Sequence, residues 1–116
     1  MADEGVRKFS QLSDHDKGWV VGILEGEGCF DKKDKRHRVR VSMSDKDVVE
    51  KIHRLIPTTY ALRSNLSKRY NAHGKRHETM YHFEISGSNA TLLMIDVFPY
   101  MSERRRLKIQ QMLLDE

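Results

Sequence analysis

Gly18, Gly22 and Gly26 recur at every fourth position, so on a helix they fall on one face. Each helical glycine costs about 0.8–1 kcal/mol relative to alanine, and three together cost roughly 2–3 kcal/mol. What glycine gives in return is close approach of a neighbouring backbone. Between the glycines stand Trp19, Val20, Val21, Ile23 and Leu24, apolar nearly all round. A helix with no polar side until its end is buried on every side. In a chain of 116 residues this predicts a helix opening at Ser13 and closing near Gly26 or Gly28 that packs against a second copy of itself. Gly18, Trp19, Val21, Gly22, Glu25 and Gly26 would form that interface. The competing reading is a central core helix with incidental glycines.

The end of the helix is chemically odd. Glu25 and Glu27 sit at a C-terminus, where the helix dipole disfavours an anion by about 0.3–1 kcal/mol. If two copies meet here, both pairs of carboxylates crowd together and need cations to stay ionised. Divalent metals held by carboxylate and backbone oxygens would provide them. Such ions activate water and stabilise the leaving oxygen in phosphodiester hydrolysis. Read blandly, both are solvated surface acids.

The rest of the chain reads as an α+β domain over residues 1–116, without repeats or linkers. Ser13 with Asp16 resembles a capping box. Cys29–Lys33 is a short strand, and His37–Met43 alternates Val39, Val41 and Met43 against Arg38, Arg40 and Ser42. Ser44, with Asp47 at N3, opens a helix whose stripe is Val48, Val49, Ile52, Leu55 and Ile56, and Pro57 stops it. Tyr60–Arg69 and Thr79–Ser86 form a hairpin around Asn71-Ala72-His73-Gly74, with Tyr81, Phe83 and Ile85 facing inward. A helix carrying Leu93, Met94, Val97 and Phe98 ends at Pro99, and Ser102 caps a last one through Leu114. The order α-β-β-α-β-β-α-α implies a four-stranded sheet with helices on one face and the other face open.

Charge indicates what that face meets. Lys and Arg number 21 against 17 acids, a net charge of +4. Arg63, Lys68, Arg69, Lys75 and Arg76 fall in one stretch without an acid, and Arg104-Arg105-Arg106 form a second cluster. Basic surfaces of this kind bind phosphates by releasing counterions, although a solvated loop has the same composition. The lone Cys29 rules out an internal disulfide, and with no evident base beside it makes a poor nucleophile. His73 and His77 with one remote cysteine make a poor zinc set. Neither a signal peptide nor a membrane span is visible, so a soluble, intracellular protein is expected, in cytoplasm, nucleoid or an organelle matrix.

The segment Trp19-Val20-Val21-Gly22-Ile23-Leu24-Glu25-Gly26-Glu27-Gly28-Cys29-Phe30 resembles the extended signature of the LAGLIDADG homing endonucleases. The element order matches that family, and Val41-Ser42-Met43-Ser44-Asp45-Lys46-Asp47-Val48 looks like its strand-to-helix junction. With one motif, the resemblance implies a homodimer that cuts both strands of a near-palindromic DNA site, leaving 3′ overhangs, with Mg²⁺ or Mn²⁺. It implies that Glu27 and the Gly26 carbonyl hold the metal and that Glu25 is structural. Arg104, a few positions past Pro99, would stabilise transition-state charge, with Arg105 and Arg106 as alternatives. Arg38 and Arg40 would contact guanines, and Lys33, Arg63, Lys68, Arg69, Lys75 and Arg76 bases or phosphates. The chain departs from the pattern in three ways. Val20-Val21 replace Leu-Ala, Glu replaces Asp twice, and Met43-Ser44 stand where many members carry Gln or Asn. A catalytically inactive DNA-binding regulator or a maturase-like RNA-binding protein on the same fold is the alternative. A small-molecule-binding module is a third reading, for which no nucleotide loop is present.

Overall fold

Ser13 opens the first long helix through its side chain, which accepts a hydrogen bond from the Asp16 N–H at 3.1 Å. In this computed structural model the backbone is described for residues 8–58, 62–71 and 74–114, and the side chains for 9–58, 62–65 and 79–114. A short helix α1 (Lys8–Gln11) precedes α2 (Asp14–Glu27). Then come β1 (Gly28–Lys33), β2 (Arg36–Met43), α3 (Lys46–Leu55), β3 (Arg63–Asn71) and β4 (Gly74–Ser86). Helix α4 (Ser88–Val97), a 3₁₀ turn (Phe98–Tyr100) and α5 (Glu103–Leu114) complete the order.

The strands form one antiparallel sheet in the order β1-β2-β4-β3. Alternation decides which residues face the helices. Phe30, Val39, Val41, Phe83 and Ile85 are buried on one face, against Val20 and Leu24 of α2, Val49 and Ile52 of α3, Leu93, Met94 and Val97 of α4, and Ile109 of α5. Among the described residues no polar or charged side chain is buried. One histidine pins this layer together. His37 of β2 contacts Thr91 Oγ1 through Nδ1 at 2.6 Å and the Met112 carbonyl through Nε2 at 2.8 Å. A carbonyl only accepts, so Nε2 carries the proton.

Several elements differ from the sequence reading. In the single chain helix α2 has one open side, the side on which the sequence reading expects a second copy. Val20 and Leu24 are sealed, but Gly18, Gly22 and Gly26 are exposed, and a Cβ at any of them would meet nothing within 4 Å. The N-cap of α3 is Asp45 rather than Ser44, without a side-chain cap bond. Ser102 stands at the N-cap position of α5, where its carbonyl accepts from the Arg106 N–H at 2.8 Å, and its hydroxyl also donates to Glu25. The hairpin strands run further than alternation indicated, to Asn71 and from Gly74; Tyr60, Ala72 and His73 lie outside the described residues. Helix α1 was not foreseen. It has only four residues, too few for an apolar period, and it is held by Phe9, which is 4% exposed.

Candidate metal centre and nucleic-acid interface

Strand β1 follows α2 without a loop. The Gly28 N–H closes the last helical turn onto the Leu24 carbonyl. A Cβ at Gly28 would lie 2.6 Å from that oxygen, so only glycine permits this join. Glu27 is therefore the final helical residue, and its carboxylate is exposed.

The surrounding side chains fix the helix end. The Glu25 carboxylate accepts from the Ser102 N–H at 2.9 Å and from its hydroxyl at 2.6 Å. The hydroxyl bond, then the N–H bond, hold the Glu25 carboxyl below its ordinary value, assisted by the charges of Arg105 and Arg104. Arg105 donates from Nε to the Glu25 carbonyl at 3.1 Å and from Nη1 to the Gly28 carbonyl at 2.6 Å. One guanidinium thus brackets Gly26 and Glu27, while lying 5.7 Å from the centre of the Phe30 ring. Arg106 is tied to the Met101 carbonyl at 2.7 Å. Arg104 is exposed and lines a groove of about 480 Å³ between β1 and α5 with Gly28, Cys29, Phe30, Lys108 and Gln111.

On the open face of the sheet, Asp31 is the hub. It takes both Nε (2.9 Å) and Nη2 (2.9 Å) of Arg38 and also Nη2 of Arg40 (2.7 Å). Burial pushes the Asp31 carboxyl up, but the Arg38 hydrogen bond and the two guanidinium charges outweigh it, so the net shift is downward. Asp31 raises Arg38 in turn. Next along the face, Arg63 pairs with Glu84 at 3.1 Å. His82 bridges Ser42 (2.8 Å) and Asn65. Lys33 is exposed at the end of β1, where it lines a smaller groove with Asp34, Arg36, Arg38, Glu84 and Ser86.

The sequence profile of the LAGLIDADG-like domain matches residues 14–94 of this chain. The chain belongs to the LAGLIDADG family. No curated protein matches it. The domain is one found in homing endonucleases and related maturase-like proteins, a family that is generally nuclease-related and associated with DNA binding and dimerisation. Family endonucleases typically use divalent metals. Among the described residues no helix is long and apolar enough to cross a membrane.

Within this LAGLIDADG fold the residues singled out from sequence fall into three places. Gly18, Gly22, Gly26, Glu25 and Glu27 occupy the open side and end of α2, with Trp19 and Val21 half-buried at its flanks. Trp19 also lies under Lys51 Nζ, which is 4.5 Å from its ring centre. Lys33, Arg38, Arg40 and Arg63 lie in the sheet. Lys68, Arg69, Lys75 and Arg76 lie on the hairpin arms, paired in register as Lys68↔His77, Arg69↔Arg76 and Tyr70↔Lys75, and their side chains are outside the described set. Arg104 lies in α5, beyond the matched segment.

Sequence reasoning missed Asp31, Ser102 and the distinction between the arginines. For the last a signal existed. Arg105 precedes the buried Ile109 by four residues and so shares its core-facing side, whereas Arg104 does not.

No group of three or more His, Cys, Asp or Glu side chains that would hold a metal occurs among the described residues. A single copy offers one exposed carboxylate, Glu27, beside the Gly26 backbone. This is an all-oxygen set suited to a hard cation, with too few ligands to hold one by itself.

Proposed function

We propose that this LAGLIDADG protein is a homodimeric, site-specific DNA endonuclease that cuts both strands of a near-palindromic site with Mg²⁺ or Mn²⁺, its 116 residues acting as one domain. The observation that carries the reading is the open face of α2. Three glycines lie bare, a Cβ added at any of them meeting nothing within 4 Å, and the exposed Glu27 carboxylate stands at the end of that same helix. Bare glycines let two backbones approach closely. Joined on a two-fold axis, two such helices bring one Glu27 from each chain together.

Arg105 and Ser102 hold the end of α2 so that Glu27 and the Gly26 carbonyl are presented in a fixed frame. Glu27 and that carbonyl would hold the metal, which when bound supplies Lewis acidity and an activated water. Arg104 lines the groove beside Gly28 and Cys29 and would stabilise developing phosphate charge, whereas Arg105 is occupied with carbonyls. The β1–β2 and β3–β4 ribbons lie along the major groove, whose width of about 12 Å admits a two-stranded ribbon. There Arg38 and Arg40 read guanines, while Lys33, Arg63, Lys68, Arg69, Lys75 and Arg76 contact bases or phosphates. Two identical half-sites follow from the two-fold symmetry.

A second reading, a DNA-binding regulator or maturase-like RNA-binding protein without cleavage, is favoured by Met43. It ends β2 half-buried, opposite Tyr81, where a polar side chain would order water.

The test is selection of bound and cleaved sites from randomised DNA with Mg²⁺ or Ca²⁺, comparing wild type with Glu27→Gln. The endonuclease reading expects a palindromic site cut by wild type in Mg²⁺ alone, and bound but uncut by the variant. Specific binding with no cutting in either metal moves the assignment to the regulator. No enrichment from DNA, with enrichment from an RNA library, moves it to the maturase-like protein.

A further inference from the structure

Five charged side chains on the open sheet face, Asp31, Arg38, Arg40, Glu84 and Arg63, alternate in sign from strand to strand rather than forming a bare cationic patch. From edge strand β1 inward, Asp31 holds Arg38 and Arg40, Arg40 stands opposite Glu84 in register, and Glu84 holds Arg63. A carboxylate has about four lone-pair sites, enough for two guanidinium groups at once. Arg38 gives Asp31 its Nε–Nη2 edge, and Arg40 gives it Nη2 alone. Among the described residues the Nη1 groups of both arginines have no partner. The two side chains remain 17% and 38% exposed, and Asp31 is 25% exposed.

An arginine free on its stem follows phosphate wherever it finds it, and that attraction carries no sequence information. A clasped arginine has lost that freedom. For Arg38 the remaining Nη1–Nη2 edge points from a fixed place, and bidentate guanine recognition requires a fixed edge. Arg40, whose Nη2 also donates to Cys29 Sγ at 3.5 Å, is left with Nη1 as the donor it can offer a base. The carboxylate has a second effect. It faces the approaching duplex and repels phosphate on every sequence alike. Only bases that offer acceptors to the two arginines, or an amino group to the carboxylate, compensate for that repulsion.

We infer that Asp31 is a specificity-determining residue, a shared brace that fixes the reading edge of Arg38 and the Nη1 donor of Arg40 and holds back binding to non-cognate DNA. This rests on the DNA-binding reading above. It assigns discrimination to an acid that touches the two readers, with no requirement for metal or cleavage.

The experiment compares wild type and Asp31→Asn as full chains by site selection from a randomised duplex library in Ca²⁺. Affinities for the selected site and for a scrambled duplex are then measured at one salt concentration. Asp31→Asn is expected to bind the scrambled duplex about threefold more tightly. It should also lose about tenfold in the ratio of cognate to scrambled affinity, with preference relaxed at adjacent positions in each half-site. An unchanged preference and ratio overturns the inference while leaving DNA recognition standing. So does an equal loss of affinity for both duplexes, which would make Asp31 a structural brace only. If wild type itself enriches no site, both readings fall. Should Asp31→Asn melt below the assay temperature, Arg40→Gln carries the test. It keeps the Arg38–Asp31 pair and must relax the preference at the position Arg40 reads; an unchanged preference overturns the inference.

Discussion

The arginines at 104, 105 and 106 are chemically identical, and what each touches separates them. Arg105 supplies charged hydrogen bonds to two carbonyls across the α2–β1 junction, and such bonds contribute roughly 1.5–3 kcal/mol when removed. Arg105→Gln should therefore lower the unfolding free energy by about 2 kcal/mol in a urea titration. Arg104→Gln should leave it within about 0.5 kcal/mol, because Arg104 is exposed. On the proposed chemistry the order reverses in a single-turnover cleavage assay: Arg104→Gln slows the cut about a hundredfold with folding intact. Equal folding losses in the two variants would remove the clamp.

Acid stability belongs to this scale as well. Asp31 and Glu25 both have carboxyls held below their ordinary values in the folded chain. A depressed folded value means the stabilising contribution is complete above the unfolded value of about 4. It is lost as pH falls further, through the folded value. The urea midpoint should drop below about pH 4 in wild type, and drop less in Asp31→Asn. An acid loss of equal size in both proteins would take Asp31 out of the account.

At the scale of elements, the turn between β1 and β2 is only two residues long. Asp34 (φ +54°) and Lys35 (φ +67°) both take left-handed backbone, as a two-residue hairpin with both central residues at positive φ requires. Aspartate tolerates that region, but lysine there carries a cost of about 1–2 kcal/mol that glycine avoids. Lys35→Gly should raise the thermal midpoint, by about 1 kcal/mol of stability at the transition. Gly28→Ala should lower it, because the added carbon meets the Leu24 carbonyl.

The same turn shows where sequence reading stops. Asp-Lys is not a hairpin signature, so the two strands were legible from the alternation of Val39 and Val41 while their joint was not. Helix α2 was legible at both ends, since Ser13 and Gly28 act locally through bonds to residues three and four positions away. The Ser102–Glu25 contact spans 77 positions and the His37–Met112 contact 75, and no local pattern encodes either. The Asp31 clasp is intermediate. It joins residues opposite one another in register, so a correct hairpin register from sequence would have placed Asp31 against Arg38.

For the molecule as a whole, the glycine face of α2 makes opposite demands on the isolated chain and on the assembly. In one copy a Cβ at Gly18 or Gly22 has open space, so alanine gains its helix propensity with no clash. Gly18→Ala with Gly22→Ala should raise the unfolding free energy of the dilute chain by about 1.5–2 kcal/mol. In the proposed homodimer those positions are where the backbones meet, and each added methyl separates them. The double variant should then associate at least tenfold more weakly by sedimentation velocity, and cut a palindromic duplex more slowly at the same concentration. A core helix with incidental glycines has no such conflict: alanine would stabilise it and change nothing else. A gain in stability together with a loss of association therefore supports the interface. A gain alone returns the glycines to ornament and leaves Glu27 without the second carboxylate that a two-chain metal site needs.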